Sequence, residues 1–120
     1  MPDDSFPVTE ADGVPVVTAP AEIDITNVEA LRSALRTASA RGCPAVVVDM
    51  THTRFCDVSG LHALSAAHRR AEAEGRTVLL VIRSPAVRRV LALTELDAVF
   101  RTPTSLAEAL AFTVSPHALP

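Results

Sequence analysis

Hydrophobic residues follow two patterns along the chain: short unbroken runs, and longer stretches with a spacing of three and four. Two unbroken runs bounded by proline or polar residues predict strands at 44–50 and 77–82, each covered on both faces. A short β-rich run predicts another strand at 14–19, and a turn at 11–13 predicts an edge strand at 7–10 before it. These strands supply the candidate core.

The first two helices are predicted from apolar residues on one face together with start and stop signals. The capping box Thr26-Asn27-Val28-Glu29 opens the first helix, and Gly42 ends it. The second helix is predicted to begin at Ser59 or Gly60 and to continue to about Glu74. Each of these helices presents one apolar stripe to the sheet.

The third helix begins with Ser84 as N-cap and Pro85 at the first helical position. A short strand is predicted at 99–100, and a second capping box at 105–108 opens a last helix that runs through Phe112. Strands and helices therefore alternate, and helical crossovers join consecutive strands. The predicted fold class is α/β, with a mostly parallel central sheet, an N-terminal edge strand and about four helices.

Length and composition agree with one globular domain. The 120 residues are 48 % hydrophobic and 21 % charged, values close to those of an average soluble protein, which excludes disordered and coiled-coil classes. A chain of this length is expected to build one core. The domain is predicted at 7–113, with flexible segments at 1–6 and 114–120.

Charge and aromatic content narrow the class of partner. The net charge of -3 and the aromatic content of 3 % disfavour nucleic-acid binding, because no basic surface and few stacking rings are available. No apolar run reaches the roughly 18 residues of a membrane span, and the N-terminus has no signal-peptide core, so a cytoplasmic protein is expected. In that reducing compartment Cys43 and Cys56 are expected to be free thiols. Proteins or small molecules are the expected partners.

Two polar loops, at 21–24 and 49–61, follow strands of the predicted sheet. The carboxyl ends of parallel strands lie at one edge of a sheet, where helix N-termini with free N–H groups converge. We therefore expect Asp24 of the first loop to share this edge with Asp57 and Ser59 of the second.

The residues of these loops carry a family resemblance. The segment 46–64, with Asp49, Phe55 and the run Asp57-Val58-Ser59-Gly60-Leu61, resembles the STAS domain of bacterial anti-sigma factor antagonists. Ala21-Glu22-Ile23-Asp24 resembles the Gly-Glu-Leu/Ile-Asp motif of that family. The similarity extends from 14 to 111 with the order of elements preserved.

This resemblance implies a switch protein that binds an anti-sigma factor with serine kinase activity and so releases a sigma factor. It also implies that phosphorylation of Ser59, before Gly60-Leu61, turns the antagonist off, and that a phosphatase acting on phosphorylated Ser59 restores it. ATP and Mg²⁺ belong to the kinase, so no cofactor is expected in this chain. The partner surface is expected to include Asp24, Asp57, Val58, Ser59, Gly60, Leu61 and His62.

Three positions depart from the family pattern. Ala21 replaces the usual glycine, Val58 replaces a usual serine or threonine, and Glu95 stands where a glycine commonly ends the third helix. Because Val58 has no hydroxyl, Ser59 carries the only one beside the helix start. Any role that the family gives to the neighbouring hydroxyl is absent here.

Catalytic and metal sites are less well supported. His52 and Cys56 have a four-residue spacing beside Asp57, but no second pair of ligands accompanies them, so no metal is predicted. Ser59, His62 and Asp57 are the residue types of a hydrolytic triad, yet the Gly-x-Ser-x-Gly elbow is absent and an enzyme is not predicted. No glycine-rich phosphate loop is present, so nucleotide binding rests on fold analogy alone.

Two other functions stay open from the sequence. The first is a STAS-like module that serves, without phosphorylation, as a structural or ligand-sensing subunit of a larger assembly. The second, more distant, is a small enzyme that uses Cys56 or Ser59. The pairs Arg69-Arg70 and Arg88-Arg89 are expected to lie on solvated helix faces.

Overall fold

The computed structural model describes residues 6–114; residues 1–5 and 115–120, where flexible ends were predicted, lie outside these described residues. The strands are β1 Val8–Ala11, β2 Val14–Thr18, β3 Glu22–Ile23, β4 Ala45–Met50, β5 Phe55–Cys56 and β6 Thr77–Ile82. The helices are α1 Val28–Ser39, α2 Val58–Ala73, α3 Pro85–Leu93 and α4 Leu106–Val114, and a short 3₁₀ helix spans Leu96–Ala98. Phe6, at the predicted domain boundary, is buried.

The main sheet has the order β1-β2-β4-β6. β2, β4 and β6 are parallel, and the edge strand β1 is antiparallel to β2, with Val8 opposite Val17. The turn between β1 and β2 places Asp12 and Gly13 at φ of 53° and 78°, a left-handed conformation that glycine adopts readily. The predicted mostly parallel sheet with an N-terminal edge strand is confirmed.

Three helices cover one face of this sheet and the last helix covers the other. Alternate residues of β4 and β6 point to opposite faces, so both strands are buried on both sides, as their unbroken apolar runs predicted. The larger core packs α1, α2 and α3 against Val48 and Leu80, and the smaller one packs Ala109 of α4 against Val47 and Leu79. No helix within residues 6–114 has the length and apolar character to cross a membrane.

The start of α1 differs from the predicted capping box. Asn27, and not Thr26, is the N-cap residue, and its side chain makes no capping hydrogen bond to the helix. The Asn27 side chain instead accepts from the N–H of Asp24 at 2.9 Å and donates to the carbonyl of Glu22 at 2.8 Å. The capping-box prediction was therefore wrong, because the Asn27 side chain makes its hydrogen bonds to the preceding loop and not to the first turn of α1.

The predicted strand at 99–100 is also absent. Glu95 adopts φ of 62° after α3, and the chain continues into the 3₁₀ helix. Phe100 then turns its ring into the core, and pairing with β6 begins only at Arg101, opposite Leu79. Burial of the Phe100 ring and the short helix that precedes it leave no room for an extended strand at this position.

The segment 101–103 covers the outer edge of β6. Leu80 and Ile82 donate their N–H groups to the carbonyls of Arg101 and Pro103. Arg88 of α3 fastens the same region, because its guanidinium donates to the carbonyls of Ile82 and Thr102 at 2.7 and 2.9 Å. Arg88 therefore connects the end of β6 to the segment 101–103. It does not lie on a solvated face as the sequence suggested.

Candidate functional site

Two short strands bring the predicted loops together. β3 and β5 form a separate parallel pair with Ile23 opposite Cys56, and the N–H of Asp57 donates to the carbonyl of Ile23 at 3.0 Å. The hydroxyl of Thr53, which is fully buried, donates to the carbonyl of Pro20 at 2.8 Å. The loop after β2 and the loop before α2 are thus one folded unit, and it includes Asp24 and Asp57.

Asp57 is the N-cap of α2. Its carboxylate accepts the Gly60 N–H at 3.1 Å and the Ser59 hydroxyl at 2.5 Å. The Ser59 hydroxyl is the main cause that holds the pKa of Asp57 below its ordinary value, and backbone N–H groups of Gly60, Ser59 and Ile25 add to it against a desolvation cost. The charged form of this carboxylate therefore belongs to the folded site at neutral pH.

α2 begins one residue earlier than the earliest start predicted from the sequence, and this changes the position of Ser59. α2 begins at Val58, so Ser59 is the second helical residue and not the cap. The Ser59 side chain is half-buried and points to the Asp57 carboxylate, whereas the Val58 side chain is 62 % exposed. The outermost side chain at the helix start is therefore that of Val58.

Asp24 stabilises the turn that leads into α1. Its carboxylate accepts from the N–H of Thr26 at 2.9 Å and from the Thr26 hydroxyl. Asn27, 5 % exposed, braces the same turn from inside. Sequence reasoning found Asp24 but missed Asn27, although an asparagine directly before a helix is a known signal for a local side-chain role.

Three exposed apolar side chains lie next to Asp24 and Asp57 in the two loops. Ile25 is 73 % exposed, Phe55 is 50 % exposed, and Val58 is exposed as described above. Hydrophobic side chains of this size are usually buried, so three exposed ones in the loops that carry the two carboxylates indicate an interaction surface. We call this surface the entry face, formed by Asp24, Ile25, Phe55, Asp57, Val58 and Ser59.

The remaining predicted contact residues lie deeper or further along α2. Gly60 is buried, and a Cβ atom there would lie 2.6 Å from Cys56 Sγ and 2.8 Å from Ile23 Cγ2. Leu61 is 4 % exposed, whereas His62 is exposed on the next turn of the helix. Gly60 therefore lets α2 approach the β3–β5 pair and supports the entry face from beneath.

The contacts of Ser59 differ from those of a hydrolytic triad. The Ser59 hydroxyl binds the Asp57 carboxylate directly, with no histidine between them to take its proton. Within residues 6–114, no group of three His, Cys, Asp or Glu side chains is placed to hold a metal ion. His52 lies instead in a separate open cleft with Arg54 and Arg83.

Cys56 is held in its thiol form. Burial, and to a smaller extent the negative charge of Asp57, raise the pKa of Cys56 from 9.0 to about 12. At pH 8 roughly one molecule in ten thousand would then carry the reactive thiolate at this position. Cys43 is only half-buried, and its sulfur lies 3.7 Å from the carbonyl of Gly13.

Alkylation should therefore distinguish the two cysteines. We expect iodoacetamide at pH 8 to modify Cys43 of the folded protein and to leave Cys56 unmodified for hours, since the buried thiol is neither accessible nor ionised. Intact-mass and peptide-mass measurements would identify the labelled residue, and both cysteines should react in denaturant. Equal labelling rates in the folded protein would contradict the buried thiol.

Comparison with known proteins places the chain in a family. The model of the STAS domain matches residues 5–109. The chain belongs to the STAS domain family. The anti-sigma-F factor antagonist RsfB of Mycobacterium tuberculosis is 35 % identical to this STAS domain over 111 residues, which is 89 % of this chain and 88 % of RsfB.

Solved structures agree with this STAS domain in fold. The crystal structure of an anti-sigma factor antagonist from Mycobacterium paratuberculosis has 34 % identity and a TM-score of 0.83, and the match covers 93 % of this chain and 97 % of that one. SpoIIAA of Bacillus, solved in its phosphorylated form, has 23 % identity, a TM-score of 0.68, and coverage of 89 % and 97 %. The predicted α/β fold and the predicted family resemblance are confirmed.

Proposed function

We propose that this STAS domain is a cytoplasmic anti-sigma factor antagonist. It binds an anti-sigma factor that is also a serine kinase, releases a sigma factor from it, and is switched off by phosphorylation of Ser59. The observation that carries the proposal is the entry face, where exposed apolar side chains accompany Ser59, whose hydroxyl donates to the N-cap residue Asp57 at the start of α2. The names of the two mycobacterial relatives support the antagonist role.

The entry face has the composition of a docking surface. Ile25, Phe55 and Val58 supply apolar area, and the carboxylates of Asp24 and Asp57 supply fixed negative charges beside it. Apolar contacts provide affinity, while charge placement sets the orientation and the association rate. A partner with an apolar patch and a basic group at its edge would fit this face.

Phosphorylation would act on this surface through charge. Attack of Ser59 Oγ on the γ-phosphorus of ATP forms the serine phosphate ester and releases ADP, and the base of the kinase takes the hydroxyl proton. The hydroxyl must first leave Asp57, and the resulting phosphate of about -1.5 to -2 charge then stands beside that carboxylate. The N-terminus of α2 tolerates an anion, so the fold would survive. A partner surface fitted to a bare hydroxyl, with one basic group beside Asp57, would instead have to cover a bulky phosphate and two adjacent negative groups, and it would bind more weakly.

The reverse reaction requires a second enzyme. Hydrolysis of the phosphate ester at Ser59 by a phosphatase would restore the hydroxyl and its bond to Asp57. Binding of the anti-sigma factor would then resume. Both enzymatic activities reside in partners, and this chain contributes the acceptor hydroxyl and the docking surface.

A second function is favoured by one observation at the same place. The exposed position at the start of α2 is occupied by Val58, while the Ser59 hydroxyl is half-buried and already bonded to Asp57. A kinase would find no free hydroxyl at the outermost position of this helix. This arrangement favours a STAS module that docks through the entry face and is not phosphorylated.

The decisive experiment uses the cognate anti-sigma factor bound to its sigma factor. We expect the wild-type protein to displace the sigma factor in size-exclusion chromatography. With ATP and Mg²⁺ present, we expect a phosphate on the peptide that contains Ser59 and a return of the sigma factor to its complex. Displacement without any phosphate would support the second function, and failure to bind would contradict antagonism altogether.

Asp24→Asn should remove the charge of this side chain from the entry face without changing the fold. The amide oxygen of asparagine can still accept from Thr26, so the free energy of unfolding should change by less than about 0.5 kcal/mol. Loss of the charge should change the affinity for the anti-sigma factor or the rate of phosphorylation several-fold. The matched control is Asp12→Asn, which removes a charge from the β1–β2 turn. An unfolded Asp24→Asn protein would show that the carboxylate is structural.

A further inference from the structure

A groove runs beside the entry face between α2 and the end of α3. It encloses about 300 Å³ and is lined by Val58, Leu61, His62, Ser65, Arg69, Thr94 and Leu96. Val58 belongs to both surfaces, so the groove continues the entry face along α2. We refer to it as the α2–α3 groove.

The wall that α2 contributes is one regular stripe. Val58, His62, Ser65 and Arg69 follow a spacing of four, three and four, so they lie on the same face of the helix. With a rise of 1.5 Å per residue, the stripe extends for about 16 Å from the helix start. The opposite wall is formed by Thr94 and Leu96. This length suits a short segment of another protein and exceeds what one side chain requires.

Apolar and charged groups occupy different parts of the groove. Val58 and Leu96 provide the accessible apolar surface, and Leu61, 4 % exposed, contributes little to it; the only ionisable residues in the lining are His62 and Arg69. Among residues 6–114, no carboxylate lines it. Arg69 is exposed and, like Arg70, makes no ion pair within those residues, so its guanidinium is available to a carboxylate of a partner.

We propose that the α2–α3 groove is a second docking site for the same anti-sigma factor. It receives a segment of that partner with an apolar side chain that contacts Val58 and Leu96 and a carboxylate that pairs with Arg69. The inference rests on the proposed function, since it assigns a further contact to the same partner. The two surfaces have opposite charge, with carboxylates at the entry face and a guanidinium at the far end of the groove.

This polarity gives the docked partner one orientation. A partner segment with a basic group near Asp57 and an acidic group near Arg69 matches both ends of the surface. The reversed segment would place like charges together at each end, which complementary interfaces avoid. Arg69 lies about three helical turns from Asp57, so each end can be tested by itself.

The charged end is tested by two neighbouring arginines. Arg69 and Arg70 are adjacent and exposed, but Arg70 lines a different cleft on the side of α2 that faces α1. We expect Arg69→Glu to raise the Kd for the recombinant anti-sigma factor at least tenfold and Arg70→Glu to change it less than twofold. Isothermal titration calorimetry at two salt concentrations would measure both, and the loss should shrink at high salt.

The apolar end is tested by filling the groove. We expect Ser65→Trp to raise the Kd at least tenfold, because the indole ring would occupy the space of the partner's apolar side chain. Ser65 is only half-buried, so the melting temperature should stay close to that of the wild type. Ser65→Ala, which leaves the groove open, is the matched control and should bind as the wild type does.

The outcomes separate this proposal from the proposed function. Wild-type affinity in Arg69→Glu and Ser65→Trp, together with lost affinity in Ser59→Asp, would overturn the groove and leave the antagonist role intact. Equal losses in Arg69→Glu and Arg70→Glu would also overturn it, because net charge alone would explain them. Failure of the wild type to bind an anti-sigma factor would overturn both proposals.

Discussion

Ser59→Asp is expected to weaken binding of the anti-sigma factor by at least tenfold without unfolding the protein. The new carboxylate replaces the hydroxyl that donates to Asp57, so a docked partner with one basic group there would have to cover two adjacent like charges, which costs on the order of one to several kcal/mol. The N-terminus of α2 accommodates an anion, so the circular dichroism spectrum should match that of the wild type. Calorimetric titration against the anti-sigma factor would measure the loss.

Two matched variants accompany this prediction. One removes the Ser59 hydroxyl, and the other places the same new negative charge on α1. Ser59→Ala should bind the anti-sigma factor and resist inactivation by ATP, because it has no acceptor oxygen. Ser33→Asp, on the exposed side of α1, adds the same charge away from the entry face and should bind normally. Phosphorylation of Ser59→Ala to the wild-type extent would refute the assignment of Ser59.

A double variant distinguishes the two functions proposed for the entry face. Val58→Ser combined with Ser59→Ala places the hydroxyl at the exposed first position of α2. If this variant accepts phosphate from the kinase and the wild type does not, the partner is a kinase and the native helix start is refractory to it. That result would select the module that docks without phosphorylation.

Gly60→Ala is expected to destabilise the fold by about 1 to 2 kcal/mol. The added methyl would overlap Cys56 Sγ and Ile23 Cγ2, and both of these short side chains are buried in the core, where they have little room to move. Overpacking costs roughly 1–3 kcal/mol, and the better helix propensity of alanine returns up to about 1 kcal/mol of it. Urea denaturation followed by circular dichroism would measure the change.

Partial rescue would locate the clash. Cys56→Ala in the Gly60→Ala background removes the contact at 2.6 Å but leaves the one at 2.8 Å to Ile23. A double-mutant cycle should therefore show a favourable coupling between positions 56 and 60. Additive effects of the two substitutions, or a Gly60→Ala protein as stable as the wild type, would contradict the close approach of α2 to β5.

Much of the fold was predictable because its signals are local. The apolar runs at 45–50 and 77–82 are only six residues long and are bounded by proline or polar residues, which favours buried strands over helices, and Ser84 with Pro85 indicates a helix start by itself. β3 and β5 have only two residues each, so no periodicity can develop within them. Their pairing depends on the approach of distant loops, which the local pattern does not contain.

The candidate site was predictable in its location and not in its orientation. Asp24, Asp57 and Ser59 were expected at one edge of the sheet, and the structure places them in adjoining loops there. Whether Val58 or Ser59 points outward depends on where α2 begins, and a shift of one residue rotates a side chain by about 100°. The capping bond from Asp57 to Gly60 fixes that start.

The β3–β5 pairing also bears on when the entry face exists during synthesis. Ile23 must wait for Cys56 to leave the ribosome before the two strands can meet, and β4, between them in sequence, belongs to the centre of the main sheet. Closing this long loop costs conformational entropy that packing of the later segments α2 and β6 must offset. A growing chain that has not yet reached Cys56 and α2 therefore presents no entry face to a partner.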